Sequence, residues 1–209
     1  MYTCAHCKIK ACNKPAAERE NMPANCPLRE AELYEDIVRE YKKEENEKFF
    51  VESMLLEKEG YGEWPRVREI VEFAHRMGYQ KIGLAFCIGL REEAEVCANI
   101  FRANGLEVVS VMCKNGGISK TCFGIESVSG KYDSICNPIG QARLMEKAGT
   151  DFNVTLGLCV GHDSLFFKYS HVMATALVAK DRVLMHNPVA DLNPGSTRYM
   201  RKRLYRKKD

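Results

Sequence analysis

The placement of the ten cysteines constrains this chain more than any other feature. Four fall in the first 26 residues, as Cys4-x2-Cys7-x4-Cys12-x13-Cys26. Four more, Cys87, Cys113, Cys136 and Cys159, each stand at or just past the end of an apolar or strand-like run. A thiolate is a soft, anionic ligand suited to zinc or to iron–sulfur clusters. Two groups of four therefore point to two metal sites rather than to scattered core thiols.

A chain of 209 residues can bury one good core with a small appendage. Its 45% hydrophobic content fits a globular protein and excludes general disorder. No run of eighteen apolar residues is present, so no spanning helix and no membrane partner are expected. Cys4 and Cys7 stand where the apolar region of a signal peptide would begin. The expected compartment is the cytoplasm, where clustered cysteines more often mean metal or redox chemistry than disulfides. Segment 196–209 carries seven basic residues and one acid, so the rest of the chain is mildly acidic although the total is +3. That is not a basic nucleic-acid-binding fold; the tail reads as a solvated terminal helix or frayed end.

Residues 1–28 read as a small Cys-rich knuckle, punctuated by Asn and Pro and poor in large apolar residues, which would fold only around a metal. Residues 29–78 read as a helical segment: one helix over 29–58, a break at Gly60-Tyr-Gly, and a second helix after Pro65 that stops at Gly78. Residues 79–195 alternate strand and helix. Strands are expected at Lys81–Phe86, Leu106–Met112, 131–135, Phe152–Leu158, Thr175–Ala179 and Val183–Met185. Helices are expected at 90–104, Pro138–Ala148 and 162–171. The predicted fold is α/β, a Rossmann-like, mostly parallel sheet flanked by helices and followed by the basic tail at 196–209. In such sheets ligands bind outside the carboxyl ends of the strands. Thiols at four strand ends would converge on one edge.

In the knuckle, Cys4 and Cys7 can bind one metal, with Cys12 and Cys26 completing a tetrahedral set. Zinc would close the site structurally, and iron would make it a cubane cluster. At the sheet edge, glycines follow Cys87, Cys113 and Cys159 within four residues, and Pro138 fixes a helix start after Cys136. Helix N-termini after Cys87, Cys136 and Cys159 would favour thiolates. The competing reading is that these cysteines simply pack in strands. His162 and Asp163, next to Cys159, are the candidates for proton transfer, although Asp163 also suits a helix cap. Lys114 could meet a thiol or an anionic substrate. Cys97 reads as core, and Cys122 as ligand, mobile redox thiol or incidental.

These residues carry a resemblance. The chain is similar to a family of uncharacterised, predicted metal-binding proteins of archaea and anaerobic bacteria. The similarity runs through Cys4-x2-Cys7-x4-Cys12, the segment FCIGL from Phe86, and Cys136-Asn-Pro-Ile-Gly-Gln-Ala. It continues in Gly157-Leu-Cys-Val-Gly-His-Asp-Ser-Leu-Phe, Lys180-Asp-Arg-Val and His186-Asn-Pro. The resemblance implies metal binding and no defined reaction. No G-x-G-x-x-G follows Lys81–Phe86, and there is no P-loop, no G-x-S-x-G elbow and no Cys-x3-Cys-x2-Cys run. The expectation is one or two [4Fe–4S] clusters serving redox or cluster-assisted chemistry on a small molecule or with a redox partner protein. Zinc at Cys4, Cys7, Cys12 and Cys26, in a carrier or sensor without catalysis, is the alternative.

Overall fold

The computed structural model describes residues 1–127 and 130–205. Two compact units are resolved, Met1–Leu55 and a second that begins at Leu56. In the first, 3₁₀ turns at Cys4–His6, Ala11–Asn13, Ala16–Glu18 and Pro27–Arg29 are followed by helix α1 (Ala31–Tyr41) and the start of helix α2 (Glu44–Gly60). The helix expected over 29–58 is thus two helices. Asn46 lies next to the break, where its side-chain amide donates to the Glu40 carbonyl at 3.0 Å. An asparagine that bonds the backbone locally competes with a continuous helix. Within 1–28 only Ala11 is a buried hydrophobic, as expected of a segment that lacks an apolar core.

The second unit holds helix α3 (Arg66–Met77), ended by Gly78 in the left-handed conformation. Among the described residues its sheet has four strands: β1 (Lys81–Phe86), β2 (Glu107–Met112), β3 (Phe152–Leu158) and β4 (Ala174–Ala179). All pairings are parallel, in the order β2-β1-β3-β4. Helices α4 (Arg91–Ala103), α5 (Pro138–Ala148) and α6 (His162–Tyr169) make the connections. This is the α/β fold that alternating strand and helix periods lead one to expect. Strand β3 is buried along its whole length because it is central and covered on both faces. Helix α4 buries Ala94, Cys97, Ala98 and Phe101, and α5 buries Pro138, Gln141, Ala142 and Met145.

The chain leaves β1 for β2 on one side and returns past β1 to β3 on the other, so the direction of winding reverses between β1 and β3. Ligands of open α/β sheets bind at such a switch point, beyond the strand carboxyl ends. Cys87 directly follows β1 and Cys159 directly follows β3, so the switch point is flanked by two thiols. Gly157 shapes this edge. It sits in the irregular β3–β4 register with φ +67°, and a Cβ there would come within 2.1 Å of Leu90 Cδ1. Only glycine serves both demands.

Two expected strands are absent from the sheet. Residues 131–135 instead pair with the loop before them, through the single antiparallel bridge Ser119–Ser134 and an Ile135 N–H donated to Ile118 O at 2.8 Å. Val183–Met185 is a turn, because Asp181 Oδ1 accepts from the Val183 and Leu184 amides at 2.9 and 3.0 Å. Helix α7 (Pro194–Leu204) takes up the first part of the basic tail. Arg206, Lys207, Lys208 and Asp209 lie outside the described residues. Among the described residues no helix is long and apolar enough to cross a membrane.

Candidate functional site

Cys87, Cys113, Cys136 and Cys159, from four separate chain segments, line one small pocket with Pro138, Gln141, Leu158 and His162. Parallel pairing explains half of this. With Phe86 in register with Met112, the next residues, Cys87 and Cys113, emerge side by side. The Asn137 amide donates to Cys113 O at 2.7 Å, which draws the start of α5, and Cys136 with it, to the same edge.

The sulfurs sit among donors. The Ile88 amide reaches Cys113 Sγ at 3.3 Å, and Arg182 Nη2 reaches Cys159 Sγ at 3.3 Å. Burial alone would raise the Cys87 thiol, but hydrogen bonds from the Gly89 backbone and Lys180, with the Cys113 thiol beside it, bring it below its ordinary value. Burial pushes Cys113 up to about 11, against the Ile88 amide and with Cys136 and Cys87 adding to the rise. Arg182 interacts first with Cys159 and then, more weakly, with Cys87 and Cys136. The edge therefore sets a thiol whose ionisation is favoured beside a buried thiol whose ionisation is opposed, next to two cations.

Beneath the thiols lies Gln141, with no exposed surface. Its Nε2 donates to Phe86 O at 3.2 Å and Val111 O at 2.7 Å. Because two carbonyls face Nε2, the amide orientation is fixed. Its Oε1 is buried without a partner. An orphaned buried acceptor normally marks a place for a bound group or water.

The outcomes for the other sequence candidates differ. His162 lines the pocket. Asp163 does not, since its Oδ1 accepts from the Gly161 and Ser164 amides at 3.1 and 2.7 Å within the first turn of α6. Asn137 is the N-cap of α5, where its Oδ1 accepts from the Gly140 amide at 2.9 Å. The helix N-termini expected to favour thiolates at Cys136 and Cys159 have amides bonded elsewhere, to Asn137 Oδ1 at α5 and to Cys159 O and Asp163 Oδ1 at α6. The Gly89 and Ile88 amides beyond β1 do reach sulfur. Lys114 turns away to the Ser134 carbonyl and to Asp133. His186 stays in its own turn, where Nδ1 accepts from the Asp181 amide at 3.0 Å. Cys97 is buried in α4, and Cys122 is exposed.

Residues 26–177 match the family described as protein of unknown function (DUF1847). The chain belongs to that family. An uncharacterized protein of Methanocaldococcus jannaschii is 44% identical over 174 residues, covering 83% of this chain and 88% of the relative. The matched DUF1847 span takes in Cys26 and all four strand-edge cysteines, and begins after Cys4, Cys7 and Cys12.

Those three and Cys26 line a second pocket of about 360 Å³, inside the first unit, with Ala11, Pro23, Leu28 and Tyr34 among its walls. The Cys7 amide donates to Cys4 O at 3.0 Å, closing a tight turn that sets the first two thiols on one loop. His6 is exposed and does not line the pocket. At both quartets the donor chemistry is that of a soft-metal site. As the side chains stand, no three His, Cys, Asp or Glu among the described residues surround a common metal-sized point. At the sheet edge the thiols instead engage each other, Lys180 and Arg182.

Sequence reasoning missed Lys180, Arg182 and Gln141. The first two follow β4 and obey the same strand-end rule that selects the cysteines. Gln141 could have been noticed as a polar residue on the buried face of α5, between Pro138 and Met145.

Proposed function

We propose that this DUF1847 protein binds soft metal through two cysteine quartets, and that the sheet-edge site carries redox or metal-assisted chemistry on a small molecule. The observation that supports it is the meeting of Cys87, Cys113, Cys136 and Cys159 at the switch point of the sheet. Lys180, Arg182 and the Ile88 and Gly89 amides supply the positive charge and N–H donors that an anionic thiolate centre requires. An iron–sulfur centre held there would supply electron transfer or, with an open position, Lewis acidity. Cys4, Cys7, Cys12 and Cys26 would hold the second metal, whose larger pocket has more room for a cluster. His162 is placed to hold or move a proton at the pocket wall, and Asp163 fixes the turn that presents it. Such thiols call for a reducing compartment, which the cytoplasm provides.

A second reading has one observation in its favour. The sheet-edge space is about 10 Å³, about the room of one water-sized sphere, which suits a single ion such as zinc in a carrier or sensor. Iron, zinc and acid-labile sulfide per chain after anaerobic purification separate the two readings. Cys159→Ala is expected to remove metal from the sheet edge and leave the N-terminal metal bound. Unchanged metal content in that variant would refute a shared site.

A further inference from the structure

Among the described residues the cations over the thiol pocket have no acidic partner. Lys114 and Lys120, on the neighbouring loop, are both held by Asp133. Among the described residues no carboxylate pairs with Lys180 or Arg182. Asp181, between them, spends its Oδ1 on the Val183 and Leu184 amides. Asp163 is likewise committed to the Gly161 and Ser164 amides.

Both cations are nevertheless held in place. Lys180 Nζ flanks the Cys87 sulfur, the two standing 4.0 and 3.9 Å from where a Cβ on Gly89 would be. A Cβ on Gly157 would stand 3.7 Å from the same Nζ. The two glycines thus leave open the space beside the ammonium. Arg182 holds Cys159 through Nη2 alone. An ammonium has three donors and a guanidinium five, so most remain for a ligand. An arginine fork fits a planar or tetrahedral oxyanion through two parallel bonds. The buried, unpartnered Oε1 of Gln141 in the wall of the thiol pocket is a second, independent sign of a ligand: as an acceptor it suits an O–H or N–H carried by that ligand, not its anionic group.

We propose that Lys180 and Arg182 form an anion subsite that docks the carboxylate or phosphate of a small substrate against the Cys87–Cys159 side of the thiol pocket. This rests on reading that pocket as the reactive site, and it names the substrate class. The helix N-termini do not compete for the anion, since their amides are bonded to Asn137 Oδ1 at α5 and to Cys159 O and Asp163 Oδ1 at α6.

The test uses paired alkylating reagents on the reduced, chelator-treated full-length chain: iodoacetate, an anionic carboxylate, and neutral iodoacetamide. Rates are read residue by residue by mass spectrometry at Cys159, with exposed Cys122 as the internal reference. A change in thiolate population moves both reagents together, whereas recognition of the anion moves only their ratio. The iodoacetate-to-iodoacetamide ratio at Cys159 is expected to exceed that at Cys122 by on the order of fivefold. It should fall to the Cys122 level in Lys180→Gln and Arg182→Gln, and shrink as salt is added. Inorganic phosphate and acetate are then titrated as competitors, and the one that slows iodoacetate more strongly identifies the oxyanion. Equal ratios at the two cysteines, ratios untouched by both variants, or no competition from either anion would each overturn the subsite. The measurement is made on metal-free chain, so a negative metal analysis would refute the metal reading without touching this result.

Discussion

Gln141→Glu tests the least expected feature of the sheet edge. In the native chain the Gln141 amide donates to Phe86 O and Val111 O at the ends of β1 and β2. A glutamate of the same shape presents only acceptors when ionised. An ionised carboxylate against two carbonyls, with no exposed surface, is so unfavourable that the group stays protonated, with its pKa raised to about 7 or above. Protonated, it has one O–H and can restore one of the two bonds, at a loss of about 1 kcal/mol. The unfolded glutamate ionises near its usual pKa of about 4.3. The variant's extra instability is therefore small below that value and grows with pH, by about 1.4 kcal/mol per pH unit, until the folded carboxyl ionises. At pH 8 it reaches about 4–5 kcal/mol. Gln141→Leu is the control: it loses two bonds, about 2 kcal/mol, and removes the orphaned Oε1, regaining about 1 kcal/mol. Its net cost of about 1 kcal/mol does not vary with pH. Urea unfolding of the three proteins at pH 5 and pH 8 reads these differences as midpoint shifts. A Gln141→Glu deficit that is the same at both pH values would refute the assignment of Nε2 as the buried donor.

Two further predictions concern the core. Burial raises the Cys97 thiol from 9.0 to about 11, so above pH 9 the unfolded chain loses that proton while the folded chain keeps it. The stability tied to this thiol is complete below pH 9 and is lost up to about pH 11, by 1–2 kcal/mol in order of magnitude. Denaturant titrations across that range should show a shallower alkaline decline in Cys97→Ala than in wild type, and parallel declines would contradict it. In Gly83→Ala, the added Cβ would stand 2.0 Å from Asn153 Oδ1 and 2.7 Å from Met145 Sδ. Asn153 is held by Thr150 Oγ1 and Ser170 Oγ, both at 2.8 Å, and cannot yield cheaply. A loss of about 3 kcal/mol is expected by thermal or urea unfolding, and a loss under about 1 kcal/mol would show that this network gives way.

The local code of the chain is strong where a single element decides its own fate. Pro138 and Gly149 bracket α5 because proline suits the first turn of a helix and glycine the left-handed position after the last. The apolar runs of β1 and β3 read as buried parallel strands for a similar reason: with both faces covered, every position is apolar or internally bonded. The expectation fails at 131–135 and 183–185, short stretches with an acid inside or beside them that binds locally. Asp133 meets Lys114 and Lys120, and Asp181 meets two amides, so neither stretch is released to pair with the sheet.

The α/β fold and the cysteines that follow β1, β2 and β3 were legible in the sequence itself, because periodicity and punctuation act within a few residues, whereas Cys136 follows no strand and reaches the edge through the Asn137 amide bonded to Cys113 O. Which cations face the thiols did not. Lys114 stands beside Cys113 in the chain yet points to Asp133, whereas Lys180 and Arg182, distant in sequence, reach Cys87 and Cys159 because β4 pairs with β3. Gln141 likewise has a role only where β1, β2 and α5 meet. Contacts of that kind depend on strand order and register, which are settled by packing across the whole sheet and not by any local stretch of residues.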